Sequence, residues 1–128
     1  MGQKGVTLNN PFHLSFVVPN LRLAEAFYVS VLGCKKGRDT GHWIDIIFFG
    51  HQLTLHQETE SMKAQSIDHF GIILDKTEWQ AIADKVEFEN IPFVLSPNEK
   101  TNEDNTGSGK FIIKDPANNL IEFKFYKK

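Results

Sequence analysis

Leu120-Ile121-Glu122-Phe123-Lys124-Phe125 alternates strictly between two faces. In a strand, Ile121, Phe123 and Phe125 point one way and Leu120, Glu122 and Lys124 the other. The first set reads as a core face. The second places a carboxylate in the middle of an otherwise apolar strand. Three further stretches have the same form. Over residues 12–18, Leu14, Phe16 and Val18 share a face, with His13 and Ser15 opposite. Over 68–74, Phe70, Ile72 and Leu74 share a face, with His69 and Gly71 opposite. Over 52–56, Leu53 and Leu55 share a face, with Gln52, Thr54 and His56 opposite. On one curved sheet, these strands would bring two His, a Glu and a further His together.

Outward from these strands, the elements fall into a repeated order. Pro19-Asn20 breaks the first strand, and Asn20 is placed to cap a helix over 21–32. Leu23, Ala26, Phe27 and Val31 are its apolar positions, and Gly33 can end it. Strands over 34–40, 43–49 and 51–57 follow. After a polar linker the order begins again with the strand over 68–74. A helix is predicted over 78–89, with Thr77 as cap and Trp79, Ile82, Ala83 and Val86 on one side. A strand opens over 92–95. The polar, Gly- and Asn-rich stretch 98–109 reads as a long loop of the lid type. A strand over 110–114, a turn over 115–119 built from Asp, Pro and Asn, and the strand over 120–125 complete the chain.

The chain thus divides into a lead-in over 1–11, a first βαβββ unit over 12–57, a linker over 58–66 and a second βαβββ unit over 67–128, expected to form a single domain. His13 and His69 are each second in their strand, and each strand leads through a short turn into a helix. One helix per unit covers one sheet face and leaves the other open. The expected fold class is α+β: two βαβββ units forming a curved mixed sheet around a cup, with the helices outside.

Composition narrows the possibilities. The 128 residues are 41% hydrophobic and 23% charged, an ordinary globular balance that suits one domain. Eleven Phe suit aromatic-packed sheet faces. A formal net charge of −2 gives no basis for binding nucleic acid or an anionic membrane. A single cysteine, Cys34, rules out an intrachain disulfide framework and fits a cytoplasmic location. No apolar run nears the length of a membrane span. Phosphate-loop, nucleophile-elbow and zinc-finger spacings are absent from the sequence.

The local motifs carry a family resemblance. They are Phe12-His13-Leu14, Ala26-Phe27-Tyr28 and Val31-Leu32-Gly33 in the first half. In the second half they are Asp68-His69-Phe70-Gly71 and Lys114-Asp115-Pro116-Ala117-Asn118-Asn119-Leu120-Ile121-Glu122-Phe123. With these, residues 12–126 resemble the vicinal oxygen chelate superfamily, which includes glyoxalase I, extradiol dioxygenases, fosfomycin-resistance and bleomycin-resistance proteins. Trp43-Ile44-Asp45 and Phe48-Phe49-Gly50-His51-Gln52 resemble a small single-domain, glyoxalase-like branch of predicted extradiol-type dioxygenases.

The resemblance implies metal ligands on the first and last strands of each half. Carried over by position, these are His13, His69 and Glu122, with a fourth from the strand over 51–57. Aligned tightly, Thr54 matches Glu122; shifted by two residues, His56 takes the slot. An isolated strand carboxylate is ordinarily a wet edge residue, and a single histidine ordinarily a hydrogen-bonded one. Two histidines at equivalent positions of a duplicated unit favour ligation. Two His and one carboxylate suit Fe(II), and the same donors accept Ni(II), Zn(II), Co(II) or Mn(II). His56, where not a ligand, is a proton-transfer candidate, and Gln52 and Thr54 are candidate substrate contacts. Glu122 is both a ligand and a catalytic candidate. His42, His51 and Tyr28 read as structural, and no base accompanies Cys34.

The resemblance implies a metal-dependent enzyme acting on a small substrate with adjacent oxygens, an extradiol-like dioxygenase first. A glyoxalase-I-like lyase or isomerase is the alternative, and a non-catalytic small-molecule binder of the bleomycin-resistance kind is a third. A small-molecule substrate and a homodimer are the expected partners.

Overall fold

The structure, a computed structural model, describes residues 11–65 and 67–127. Of the lead-in only Pro11 is included; Ser66 of the linker and Lys128 also lie outside the described residues. The chain forms two compact units, Met1–Ser66 with Asp115–Ala117, and Ile67–Lys114 with Asn118–Lys128. Each is a βαβββ unit, and the fold class is α+β.

The first unit holds β1 (His13–Val18), α1 (Leu21–Ala26) running into a π-helical turn (Phe27–Val31), β2 (Lys35–Asp39), β3 (Trp43–Phe48) and β4 (His51–Gln57). Its sheet runs β1-β4-β3-β2, with β1 and β4 parallel and the other pairs antiparallel. Parallel strands need a crossover, and the helix supplies it. Asn20 caps α1 as predicted, its side chain accepting from the Leu23 amide at 3.0 Å. Gln57 fixes the helix entry to the end of β4: its Oε1 accepts from the Leu21 amide at 2.9 Å, and its Nε2 donates to the Pro19 carbonyl at 2.7 Å.

The buried stripe of this helix differs from the predicted one. Leu21, Ala24, Phe27 and Tyr28 are buried, whereas Leu23 is 55% exposed and Ala26 is exposed. The helix also changes its winding: Leu32 donates to the Phe27 carbonyl five residues back, the bond of a π turn. The stripe is fixed by Tyr28, whose hydroxyl donates to Asp115 Oδ2 at 2.9 Å in a fully buried site. Burial, followed by the adjacent carboxylate, pushes the Tyr28 phenol well above its ordinary value. Asp115 also accepts from the Ala117 amide at 2.9 Å, which shapes the turn predicted over 115–119.

The second unit holds β5 (Phe70–Ile73), α2 (Lys76–Phe88), β6 (Phe93–Thr101), β7 (Gly107–Lys114) and β8 (Leu120–Lys127). Its sheet runs β5-β8-β7-β6, the first unit's order repeated, again with the first and last strands parallel. The predicted helix face is the observed one: Trp79, Ile82, Ala83 and Val86 are buried. Trp79 packs at 4.7 Å from Phe125, and its indole N–H donates to the Phe123 carbonyl at 2.9 Å. Phe111 and Phe123 stack at 4.8 Å on the same face. Burying each such ring contributes about 1.5–3 kcal/mol, so this face dominates the unit's stability. Gly109 leaves the room that the Phe125 ring occupies.

Two local expectations are corrected here. Asp75, not Thr77, caps α2, accepting from the Glu78 amide at 2.8 Å; the helix starts two residues earlier than its apolar pattern indicates. The stretch 98–109 is no long loop. Asn98 pairs with Lys110 and Thr101 with Gly107 in a hairpin closed by a turn over 102–106. There Asn102 donates to the Thr106 carbonyl at 2.7 Å, and the Asp104 carboxylate accepts from the Thr106 amide at 3.0 Å. These strand ends are polar because water surrounds them, not because they lack pairing.

A surface network joins α1 to β2. Arg22 and Lys36 both bind Asp39 Oδ2 at 2.8 Å, and both also meet Glu25. The Arg22 guanidinium, then the Lys36 ammonium, hold the Asp39 carboxyl far below the usual carboxylate range. A depressed carboxyl adds stability above its unfolded value, about 3.9, and loses it as pH falls through the folded value. Asp39→Asn is therefore expected to be less stable than wild type at pH 7, with the gap closing in strong acid and in high salt. Denaturant unfolding at both pH values measures this; a gap that widens in acid contradicts it.

Candidate functional site

The helix of each unit covers one face of its sheet, and the predicted site residues lie on the other. In the first unit, three register rows cross β1, β4 and β3. They are His13–Gln52–Ile47, Ser15–Thr54–Asp45 and Val17–His56–Trp43. His13 is exposed, Gln52 and His56 are half-buried, and Thr54 is buried. In the second unit, Glu122 lies between Gly71 and Ile112, and Lys124 between Ile73 and Lys110. Counting from each strand's histidine, Thr54 occupies the position of Glu122 and His56 that of Lys124. Asp45 occupies the position of Ile112.

Thr54 and Glu122 have opposite surroundings despite their equivalence. The Thr54 hydroxyl donates to Asp45 Oδ1 at 2.8 Å, and Arg38 Nε donates to Asp45 Oδ2 at 2.7 Å. Asp45 is only 2% exposed. A buried carboxylate requires such partners, because leaving one charge without its mate typically costs about 3–5 kcal/mol. Glu122 is half-buried beside apolar Ile112, and its Oε1 lies 4.0 Å from Lys124 Nζ, the outer limit of an ion pair. Tyr126 first, and Glu122 after it, hold the Lys124 ammonium above its ordinary value.

Glu122 opens onto a groove of about 510 Å³ within the second unit, lined by His69, Gly71, Ile73 and Lys124 among others. His69 Nδ1 pairs with Asp68 Oδ2 at 2.8 Å. In the neutral tautomer whose Nδ1–H donates to Asp68 Oδ2, Nε2 carries the lone pair, the arrangement that prepares a histidine for a metal. An imidazole and a carboxylate thus line one groove. Among the described residues, no three His, Cys, Asp or Glu side chains form a group that could hold a metal ion.

The remaining histidines separate clearly. The Phe12 amide donates to His51 Nδ1 at 2.8 Å, a structural use. His56 lies beside the Trp43 ring, 6.2 Å between centroids. Cys34 is buried. Sequence reading missed the Arg38–Asp45–Thr54 cluster. The available signal was Asp45 itself, a lone carboxylate inside Trp-Ile-Asp-Ile-Ile-Phe, the same pattern that marks Glu122.

Comparison with known proteins agrees with this architecture. The family model of the Glyoxalase/Bleomycin resistance protein/Dioxygenase superfamily matches residues 11–123, and the chain belongs to that superfamily. A glyoxalase/bleomycin resistance protein/dioxygenase from Alicyclobacillus acidocaldarius is 32% identical, with a TM-score of 0.78 over 94% of this chain and 93% of that one. Two more distant structures share the fold. A glyoxalase/dioxygenase from Nostoc punctiforme is 17% identical with a TM-score of 0.74, over 94% of this chain and 93% of that one. A lactoylglutathione lyase from Agrobacterium tumefaciens is 21% identical with a TM-score of 0.68, over 92% of this chain and 94% of that one. No curated protein matches significantly. Among the described residues, no helix is long and apolar enough to cross a membrane.

Gly71 sets the approach of β5 to β8 at the groove, since a Cβ there would collide with the Glu122 carbonyl. Gly71→Ala is expected to cost about 1–3 kcal/mol, as overpacking typically does. It should also expose the Leu74 amide, which donates to the Lys124 carbonyl at 2.7 Å. Hydrogen exchange and denaturant unfolding measure both effects. Wild-type protection at Leu74 would show that the close approach does not constrain the strand.

Proposed function

We propose that the chain is a metal-dependent enzyme of the vicinal oxygen chelate type, with a three-donor site of the extradiol-dioxygenase kind. The observation that carries this reading is the pairing of Thr54 with Asp45. The first-unit position equivalent to Glu122 holds a buried hydroxyl already bound to a carboxylate, not a free acidic ligand. A fourth protein ligand at that position is disfavoured, and open coordination positions suit oxygen chemistry on a chelating substrate.

His69 through Nε2, Glu122 through its carboxylate and His13, first residue of β1, are the residues that would hold the metal. Fe(II) is the favoured ion. When bound, such a metal supplies Lewis acidity toward two neighbouring substrate oxygens. Lys124, whose charge is firmly retained, supplies positive potential beside the groove where the ionised substrate oxygens would lie. His56, on the open face beside Trp43, takes or returns a proton at an imidazole nitrogen. Gln52 is the proposed neutral hydrogen-bonding contact on the same face.

Two substitutions test this as a pair. Glu122→Gln should lower metal affinity about tenfold or more, with unfolding unchanged. His56→Ala should keep near wild-type metal content yet slow turnover of a catecholic substrate by roughly 10²–10⁴-fold, the usual worth of a placed proton-transfer group. Metal analysis and oxygen uptake provide the readouts. If His56→Ala loses metal as strongly as Glu122→Gln, the site has four ligands, and the lyase reading replaces this one.

A further inference from the structure

The open face of the first unit carries a cation held in a fixed pose. Arg38 uses one of its donors, Nε, on the buried Asp45 carboxylate, and its guanidinium carbon sits 5.0 Å above the Trp43 ring. The two contacts hold the group from different sides: the carboxylate fixes its direction, and the ring supports its plane. Its side chain is nonetheless 73% exposed. Among the described residues, the Nη1 and Nη2 groups of Arg38 meet no acceptor. The neighbouring cation on this face, Lys35 of the edge strand β2, lies opposite Ile47 of β3. Asp45 is consumed by Thr54 and Arg38, so the face offers positive charge without an exposed acid to offset it. A buried Asp45 alone would be satisfied by a short donor. A long, stacked guanidinium that turns its outer edge outward has the geometry for a planar oxyanion.

We propose that Arg38 anchors a carboxylate carried by the substrate, with the outer Nη1 and Nη2 edge receiving it against the aromatic wall of Trp43 and His56. The substrate class is then a planar, carboxylate-bearing compound with adjacent oxygens, such as a dihydroxybenzoate, in preference to an uncharged catechol. This rests on the enzyme reading above in one respect: the open face of the first unit has to meet the substrate.

The test is a ratio of affinities. Full-length protein as purified is titrated with 3,4-dihydroxybenzoate and with its amide, 3,4-dihydroxybenzamide, following tryptophan fluorescence. Wild type should bind the carboxylate at least about tenfold more tightly than the amide. Arg38→Met should bring the two within about twofold, and Arg38→Lys should retain part of the preference, since a point charge replaces the fork. Because Arg38→Met leaves Asp45 charged and buried, the double variant Arg38→Met/Asp45→Asn is measured beside it and should show the same loss. Glu122→Gln separates the two ideas. Failure of the metal reading appears as unchanged affinity for both ligands in that variant, whereas failure of this inference appears in their ratio or in a carboxylate that does not bind. Equal binding of the two ligands by wild type overturns the assignment. So does absence of saturable carboxylate binding at millimolar concentration, or an unchanged preference in the double variant. The last result would leave Arg38 as no more than the counter-ion of Asp45.

Discussion

Parallel pairing of the first strand with the last is the constraint on which each unit depends. A parallel pair cannot be joined by a tight turn, so a helix must cross over, and a single crossover helix covers a single face. The covered face takes Phe, Ile and Leu, and the uncovered one carries the polar groups of these strands. The same pairing fixes register. In β1 and β4 it sets Ser15 beside Thr54, and in β5 and β8 it sets Gly71 beside Glu122. A slip of one residue would turn both histidine-bearing strands inside out, so packing of the apolar face enforces the polar face as well.

Two carboxylates on these open faces differ in how fully the fold engages them. Asp45 is buried and receives one donor on each oxygen. Such an acid is spent: both its oxygens are already engaged, and removing either partner would leave a buried charge short of a donor. Glu122 has an aliphatic neighbour across β7 and a lysine at ion-pair limit. Its remaining lone pairs face a groove. The cost of a half-buried carboxylate with so few partners is modest while water reaches it, and a cation in that groove would repay it. This contrast bears more on the candidate chemistry than residue type does, since both began as lone acids in apolar strands.

Much of this was legible in the sequence where a pattern had one physical meaning. Strict alternation marked the strand faces, and the stripe Trp79, Ile82, Ala83 and Val86 marked the buried side of α2. Legibility ended where two meanings compete. Leu23 and Leu21 are equally apolar, and only the distant Asp115, waiting for the Tyr28 hydroxyl, selects the stripe that turns inward. The polarity of 98–109 signals either missing pairing or a hairpin wetted on both sides. Composition is the same for both, and cross-strand partners decide it. For Thr54 and His56 the alternation permits either in the ligand slot. Strand pairing, a long-range property, sets Thr54 opposite Ser15 as it sets Glu122 opposite Gly71.

The two units exchange the strand that carries the acid of their open face. In the first, the row Ser15–Thr54–Asp45 has its acid on β3; in the second, the row Gly71–Glu122–Ile112 has its acid on β8. The next row also differs, two aromatic rings in Val17–His56–Trp43 against two cations in Ile73–Lys124–Lys110. An acid on β3 stands near the edge strand β2, where Arg38 can neutralise it and still reach outward. An acid on β8 is flanked by β5 and β7 and has no edge-strand cation at hand among these rows. One scaffold thus yields a closed acid that orients a guanidinium and an open acid that lines a groove. The exchange needs no change in the core faces, because every substituted position points away from the helix. Residues of the open face can therefore change without disturbing the fold, so the architecture shared with structures at 17–21% identity leaves the chemistry to be read from each chain.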